Sequence, residues 1–178
     1  MVVARLRPMA NLQLDQDAGS QAGLVHVASY ISGYVDGEGC FTVSISPRPT
    51  LLVGWEVRPS LSVSQNADRS EVLGVIQRHF ACGTIRPDRS DRTLKWEVRR
   101  LPLLLDRVIP HFETYPLLSA KRRDFEAFAE ICRRMARGDH RTVAGLREIV
   151  GLAGGMNPSG KRGYLALAIL QSLAEMKA

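Results

Sequence analysis

Ile31-Ser32-Gly33-Tyr34-Val35-Asp36-Gly37-Glu38-Gly39 closes a mostly apolar run that begins at Leu24 and reads as a short buried helix to Asp36. Gly37 and Gly39, residues that accept left-handed backbone angles, are expected to stop it. On that helix Ser29, Gly33 and Gly37 recur every four residues along one face, and side chains this small let a second helix backbone approach closely. Such a face asks for a partner. If the partner is the same helix of another copy, the two C-terminal ends lie side by side and each brings a Glu38 to the two-fold axis. Two carboxylates about 5 Å apart repel by roughly 3 kcal/mol at an effective dielectric of about 20. A hard divalent cation relieves that repulsion, and Mg²⁺ favours a few carboxylates together with waters and phosphate oxygens. Paired Glu38 side chains with the Gly37 carbonyl therefore form a candidate metal seat.

Downstream of this stretch, strict alternation marks half-buried strands: Phe41, Val43 and Ile45 against Thr42, Ser44 and Ser46, then Trp55, Val57, Leu61 and Val63 against Glu56, Arg58, Ser60 and Ser62. Pro47 to Thr50 break the pattern as a loop. Val72, Leu73, Ile76 and Phe80 follow at helical spacing, with Asp68 or Ser70 as N-cap. A second strand pair comes next, Ile85 against Thr84 and Arg86, then Leu94, Trp96 and Val98 against Lys95, Glu97 and Arg99, separated by the turn-prone segment 87–91. Beyond it, helices are expected from Pro102 to His111, Lys121 to Arg137, Val143 to Leu152 and Tyr164 to Lys177, with residues 154–164 as loop. The outward strand faces carry small hydroxyls (Thr42, Ser44, Ser46, Ser60, Ser62, Thr84) interleaved with Arg48, Arg58, Arg86, Lys95 and Arg99, and few acids beyond Glu56 and Glu97. Small residues permit close approach to a large surface, and arginine bonds guanine edges or phosphates in bidentate fashion. The plainer alternative is a solvated sheet face.

The 178 residues suffice for one compact domain, taken as residues 23–178 after a flexible tail over 1–22. Lys and Arg outnumber Asp and Glu by 24 to 18, which suits a polyanionic partner as well as an ordinary soluble surface. Cys40, Cys82 and Cys132 lie far apart without zinc-like spacing and read as reduced, buried thiols. His26, His79, His111 and His140 are scattered, which gives a zinc or nucleophilic histidine site no support. Without a long apolar run or secretory leader, an intracellular protein is expected, cytoplasmic or organellar, with no membrane partner.

ISGYVDGEG at 31–39 resembles the LAGLIDADG signature: Gly33, Asp36 and Gly39 match, and Glu38 stands at the second acidic position. The extended form from Tyr30 to Phe41, the strand end Val63-Ser64-Gln65, and the segment from Tyr115 to Lys121 before a long helix extend the likeness over roughly Val27 to Leu152. The resemblance implies an α+β, αββαββα homing-endonuclease fold with a saddle-shaped antiparallel sheet and extra C-terminal helices. It implies cleavage of double-stranded DNA at a long pseudo-palindromic site. Since only one motif is present, it implies a homodimer. Mg²⁺ is the expected cofactor, with Ca²⁺ or Mn²⁺ as crystallographic substitutes. Glu38 and Gly37 would hold it, Gln65 would order the attacking water, and Lys121 would neutralise developing phosphate charge or tune the water network. Gln65 and Lys121 also have the mundane readings of a strand end and a helix start. Asp36 fits either a second metal ligand or a capping group, and the family pattern favours the structural role. Strands 40–48, 55–65, 84–88 and 93–99 would read the major groove. The rivals are an RNA-binding splicing cofactor acting on intron RNA and a DNA-binding regulator of the same fold that does not cut.

Overall fold

The computed structural model describes residues 21–88, 92–157 and 166–175. The expected tail therefore lies outside the described residues up to position 20, as does most of the expected 154–164 loop. Element order is α1 (Gln21–Glu38), β1 (Gly39–Pro47), β2 (Trp55–Asn66), α2 (Glu71–Phe80), β3 (Thr84–Pro87) and β4 (Thr93–Val98). A winding segment follows in three parts: α3 (Leu101–Leu103), a π-helical turn (Leu104–Val108) and α4 (Ile109–Thr114). The C-terminal helices are α5 (Lys121–Arg137), α6 (Val143–Gly155) and α7 (Ala166–Glu175). This is the expected α+β arrangement. Its four strands form one antiparallel sheet in the order β1-β2-β4-β3.

Strand alternation sorts the sheet into two faces. Phe41, Val57, Leu61, Val63, Trp96 and Val98 are buried on the inner face, where they meet Ile31 and Val35 of α1, Leu73, Ile76 and Phe80 of α2, and Phe125 and Phe128 of α5. Phe41 sits at the centre of an aromatic cluster with ring centroids 5.5 Å from Phe112, 5.5 Å from Phe125 and 5.3 Å from Phe128. Non-hydroxylic aromatics need no polar partner, so this region packs without one. The far end is tied down by polar contacts: Trp55 Nε1 donates to Ser172 Oγ of α7 at 2.9 Å, and Asn157, just after α6, donates through Nδ2 to the Phe41 carbonyl at 2.7 Å.

Several expectations need correction. α1 is longer than 24–36 and is buried along only part of its circumference, since Ser29, Tyr30, Gly33 and Gly37 are exposed. Gly37 lies inside the helix, and neither it nor Gly39 is among the residues with positive φ. Gly39 is needed for space instead: a Cβ there would lie 2.5 Å from Val35 Cγ1 and 2.7 Å from the Val35 carbonyl. Cys40 is exposed rather than buried, because it falls on the outer register of β1, and only Cys132 is fully enclosed. The helix expected from Pro102 to His111 is interrupted. Pro110 has no N–H to give the Asp106 carbonyl, and the turn before it widens to π geometry, where Ile109 N bonds the Leu104 carbonyl. Ser70, not Asp68, occupies the N-cap position of α2, though its hydroxyl bonds back to the Ala67 carbonyl and makes no side-chain cap.

Candidate active site and nucleic-acid interface

Three interactions fix the C-terminal end of α1. The Asp36 carboxylate accepts from the Leu118 N–H at 3.0 Å, the Ser119 N–H at 2.9 Å and the Ser119 hydroxyl at 2.5 Å. Burial alone would raise its pKa, but the Ser119 hydroxyl, the two backbone N–H groups and the Lys121 charge outweigh that and hold it below the ordinary carboxylate value. The hydrogen bonds of Asp36 are thus all made to residues 118 and 119, two from backbone N–H groups and one from the Ser119 hydroxyl. Lys121, the first residue of α5, sends its ammonium to three carbonyls at the same helix end: Gly39 at 2.6 Å, Val35 at 3.1 Å and Gly37 at 3.3 Å. A cation here complements the negative end of the helix dipole. Gln65 is joined to α1 as well, donating through Nε2 to Tyr34 Oη at 2.5 Å while its Oε1 accepts from Asn66 N.

Glu38 differs from all of these. It is exposed at the last position of α1, and among the described residues its carboxylate has no hydrogen-bond or ion-pair partner. Its neighbours orient the helix end and leave this acid open. The donor set suits a hard cation, with one free carboxylate and the Gly37 carbonyl, which has a second lone pair beyond the one facing Lys121. It is also incomplete, for no group of three or more His, Cys, Asp or Glu that could hold a metal occurs among the described residues. Beside it, Ser29, Gly33 and Gly37 lie on the exposed face of α1, where a Cβ added at either glycine would meet nothing within 4 Å. Tyr30, 54% exposed, and Leu118, 91% exposed, add apolar surface around it.

The outer sheet face holds the residues that the strand pattern singled out. Register pairs Thr42 with Ser60, Ser44 with Arg58, Ser46 with Glu56, and Arg86 with Lys95, so all face the same way. Arg48 continues that row just past β1, and Arg99 lies one residue past β4. Ser62, between Cys40 and Glu97, is buried among its neighbours and has little surface to offer. Glu56 accepts from Arg48 at 2.6 Å and from Arg58 at 2.5 Å, and these two guanidiniums hold its carboxyl below the ordinary value. Glu97 accepts from Arg86 at 2.7 Å and Arg99 at 2.9 Å, while Lys95 faces Asp88 at 3.7 Å.

Sequence spacing missed two further features. His79, His111 and Ser32 form a hydrogen-bonded chain. Ser32 donates to the Tyr115 carbonyl at 2.7 Å, so its oxygen accepts from His111 Nε2 at 3.1 Å, and His111 Nδ1 is left to accept from His79 Nε2 at 3.0 Å. Burial, and secondarily His79, push His111's pKa down to about 4. The other feature is Ser119, whose partnership with Asp36 spans 83 residues. Neither leaves a local periodic signal.

A helix with glycines on its open face thus ends in an unpartnered glutamate, beside an antiparallel sheet whose outer face carries arginines. Residues 31–132 match the sequence profile described as LAGLIDADG endonuclease. This chain belongs to that family. It is 35% identical over 115 residues to homing endonuclease I-ApeII of Aeropyrum pernix, covering 64% of this chain and 67% of that protein. It is 33% identical over 123 residues to probable intron-encoded endonuclease 2 of Neurospora crassa, covering 68% of this chain and only 27% of that one. Among solved structures, the archaeal intron-encoded homing endonuclease I-Vdi141I complexed with DNA superposes with a TM-score of 0.79 at 26% identity, over 86% of this chain and 98% of its own. I-SmaMI bound to uncleaved DNA target in the presence of calcium ions gives 0.76 at 26% identity, over 81% of this chain and 49% of its own.

Proposed function

We propose that this chain is a site-specific, metal-dependent homing endonuclease that cuts both strands of DNA as a homodimer. The observation that carries this reading is the unpartnered Glu38 at the end of a helix whose adjoining face is open over Gly33 and Gly37. Lengths support the pairing: a chain of this size accounts for nearly all of one DNA-complexed relative and about half of another. Two such units meeting through α1 would bring two Glu38 carboxylates together above a duplex that both sheets contact.

Mg²⁺, held by Glu38 and the Gly37 carbonyl of each copy, would supply charge stabilisation and a more acidic water for phosphodiester hydrolysis. Ca²⁺ fills the same oxygen-donor role structurally, in keeping with the calcium-containing relative. Gln65, hydrogen-bonded to Tyr34 Oη, would orient a water near the helix end. Lys121 keeps Glu38's helix end in position and supplies positive charge where the phosphate gains negative charge. Asp36 acts structurally, by holding Leu118 and Ser119 against the helix end. The sheet face, with Arg58 on β2 and Arg86 on the edge strand β3, would lie in the major groove.

The test pairs wild type with Glu38→Gln, using Mg²⁺, a plasmid library of candidate sites and an intron-RNA competitor. Wild type is expected to cut and Glu38→Gln to bind the same sites without cutting. Binding of RNA in preference to DNA, with no cutting by wild type in Mg²⁺ or Mn²⁺, would refute the proposal.

A further inference from the structure

Every cation assigned to the outer sheet face has a carboxylate partner: Arg48 and Arg58 share Glu56, Arg86 and Arg99 share Glu97, and Lys95 faces Asp88. A surface built only to hold a polyanion gains by leaving its guanidiniums free, because each neutralised phosphate adds affinity through counterion release. Carboxylates placed among them oppose that gain. Stability accounts poorly for the Glu56 pairs, since Arg48 and Arg58 are 50% and 59% exposed and exposed ion pairs contribute little, whereas the enclosed Glu97 also needs its partners to stay charged. Glu97 is only 9% exposed, lies in the middle of the sheet opposite Ser62 and Thr84, and uses a single oxygen, Oε2, for both arginines. Among the described residues its other oxygen accepts nothing.

We infer that Glu56 and Glu97 are specificity-determining residues, each holding two arginines for base readout and weakening their hold on the phosphate backbone. The chemistry matches one kind of base pair. In the major groove G·C presents two acceptors on guanine and an amino donor on cytosine, so an arginine beside a glutamate offers the complementary donors and acceptor. A·T presents acceptor, donor and acceptor in that order, and so lacks the two adjacent acceptors that a bidentate guanidinium meets on guanine. Fixed guanidinium geometry also favours bidentate contact over a loose charge contact with phosphate. This inference rests on the reading of the sheet face as the DNA interface.

Glu56→Gln and Glu97→Gln, both close to isosteric, are the variants of choice. Affinity for a mixed-sequence duplex is measured between about 50 and 200 mM salt. In parallel, each protein selects from a randomised duplex library. Each variant is expected to bind the mixed duplex several-fold more tightly than wild type, with a salt slope steeper by about 1 to 2. Its selected pool should lose a G·C preference at one or two positions per half-site. Should Glu97→Gln fail to fold, Glu56→Gln decides alone, since that side chain lies on the exposed edge of the network. If wild type enriches a site but the variants show the same slope and pool, this inference falls and the endonuclease reading stands. If wild type enriches no sequence, the DNA-reading role of the face falls and takes this inference with it.

Discussion

Lys121 does more in the architecture than its place at a helix start suggests. Its ammonium gathers three carbonyls from a helix end 82 to 86 residues away, and that convergence holds the approach to Glu38. Lys121→Met should therefore lower stability by about 1 to 2 kcal/mol as well as impair cutting, because charge-assisted hydrogen bonds and the dipole interaction are both lost. Thermal unfolding and cleavage measured on one preparation would check this. Unchanged melting with lost cutting would mean that the ammonium serves the phosphate alone. At this scale the sequence was legible in part. Glu38, Gln65 and Lys121 stood out by their place around the motif, yet Ser119 and Tyr34, which bond Asp36 and Gln65, carried no pattern of their own. Asp36 looked ambiguous until its partners at 118 and 119 were in view.

Among the elements, α1, α2 and α4 are joined through the chain His79–His111–Ser32, which has a single consistent direction of donation. An unfolded His111 takes up a proton near pH 6.5, whereas the folded one resists until about 4. The stabilising contribution is thus complete above pH 6.5 and is lost progressively as pH falls toward 4, since the unfolded chain then binds more protons. It amounts to about 3 kcal/mol at most. Denaturant unfolding at pH 7 and pH 4.5 should show the loss, and His111→Gln should flatten that part of the profile. Periodicity placed the strands and α5 well, because alternation and 3.6-residue spacing are local, and α5 spans Lys121–Arg137 as expected. It failed where one residue overrode its surroundings, as Pro110 does by widening the preceding turn, and where scattered histidines met only in the fold.

For the molecule as a whole, the exposed face of α1 makes the proposed assembly testable without DNA. A side chain at Gly33 has open space in the single chain, and replacing glycine inside a helix gains about 1 kcal/mol of propensity. Gly33→Leu is accordingly expected to fold, to have half the wild-type mass by light scattering, and to be inactive on DNA. A variant that keeps the wild-type mass would place the interface elsewhere. The α+β architecture was legible throughout, because the order of periodicities along the chain states it. The burial of α1 was misjudged, because the same small residues fit a core helix and an unpaired surface alike.

The solitary carboxylate of each copy also bears on dosage. When a cutting centre needs an acid from two separate chains, the amount of competent nuclease rises with the square of the chain's concentration while that concentration stays below the dimer's dissociation constant. Under the proposed pairing, scarcity would act as the off state, since a dilute single chain holds half a cutting centre and needs no inhibitor.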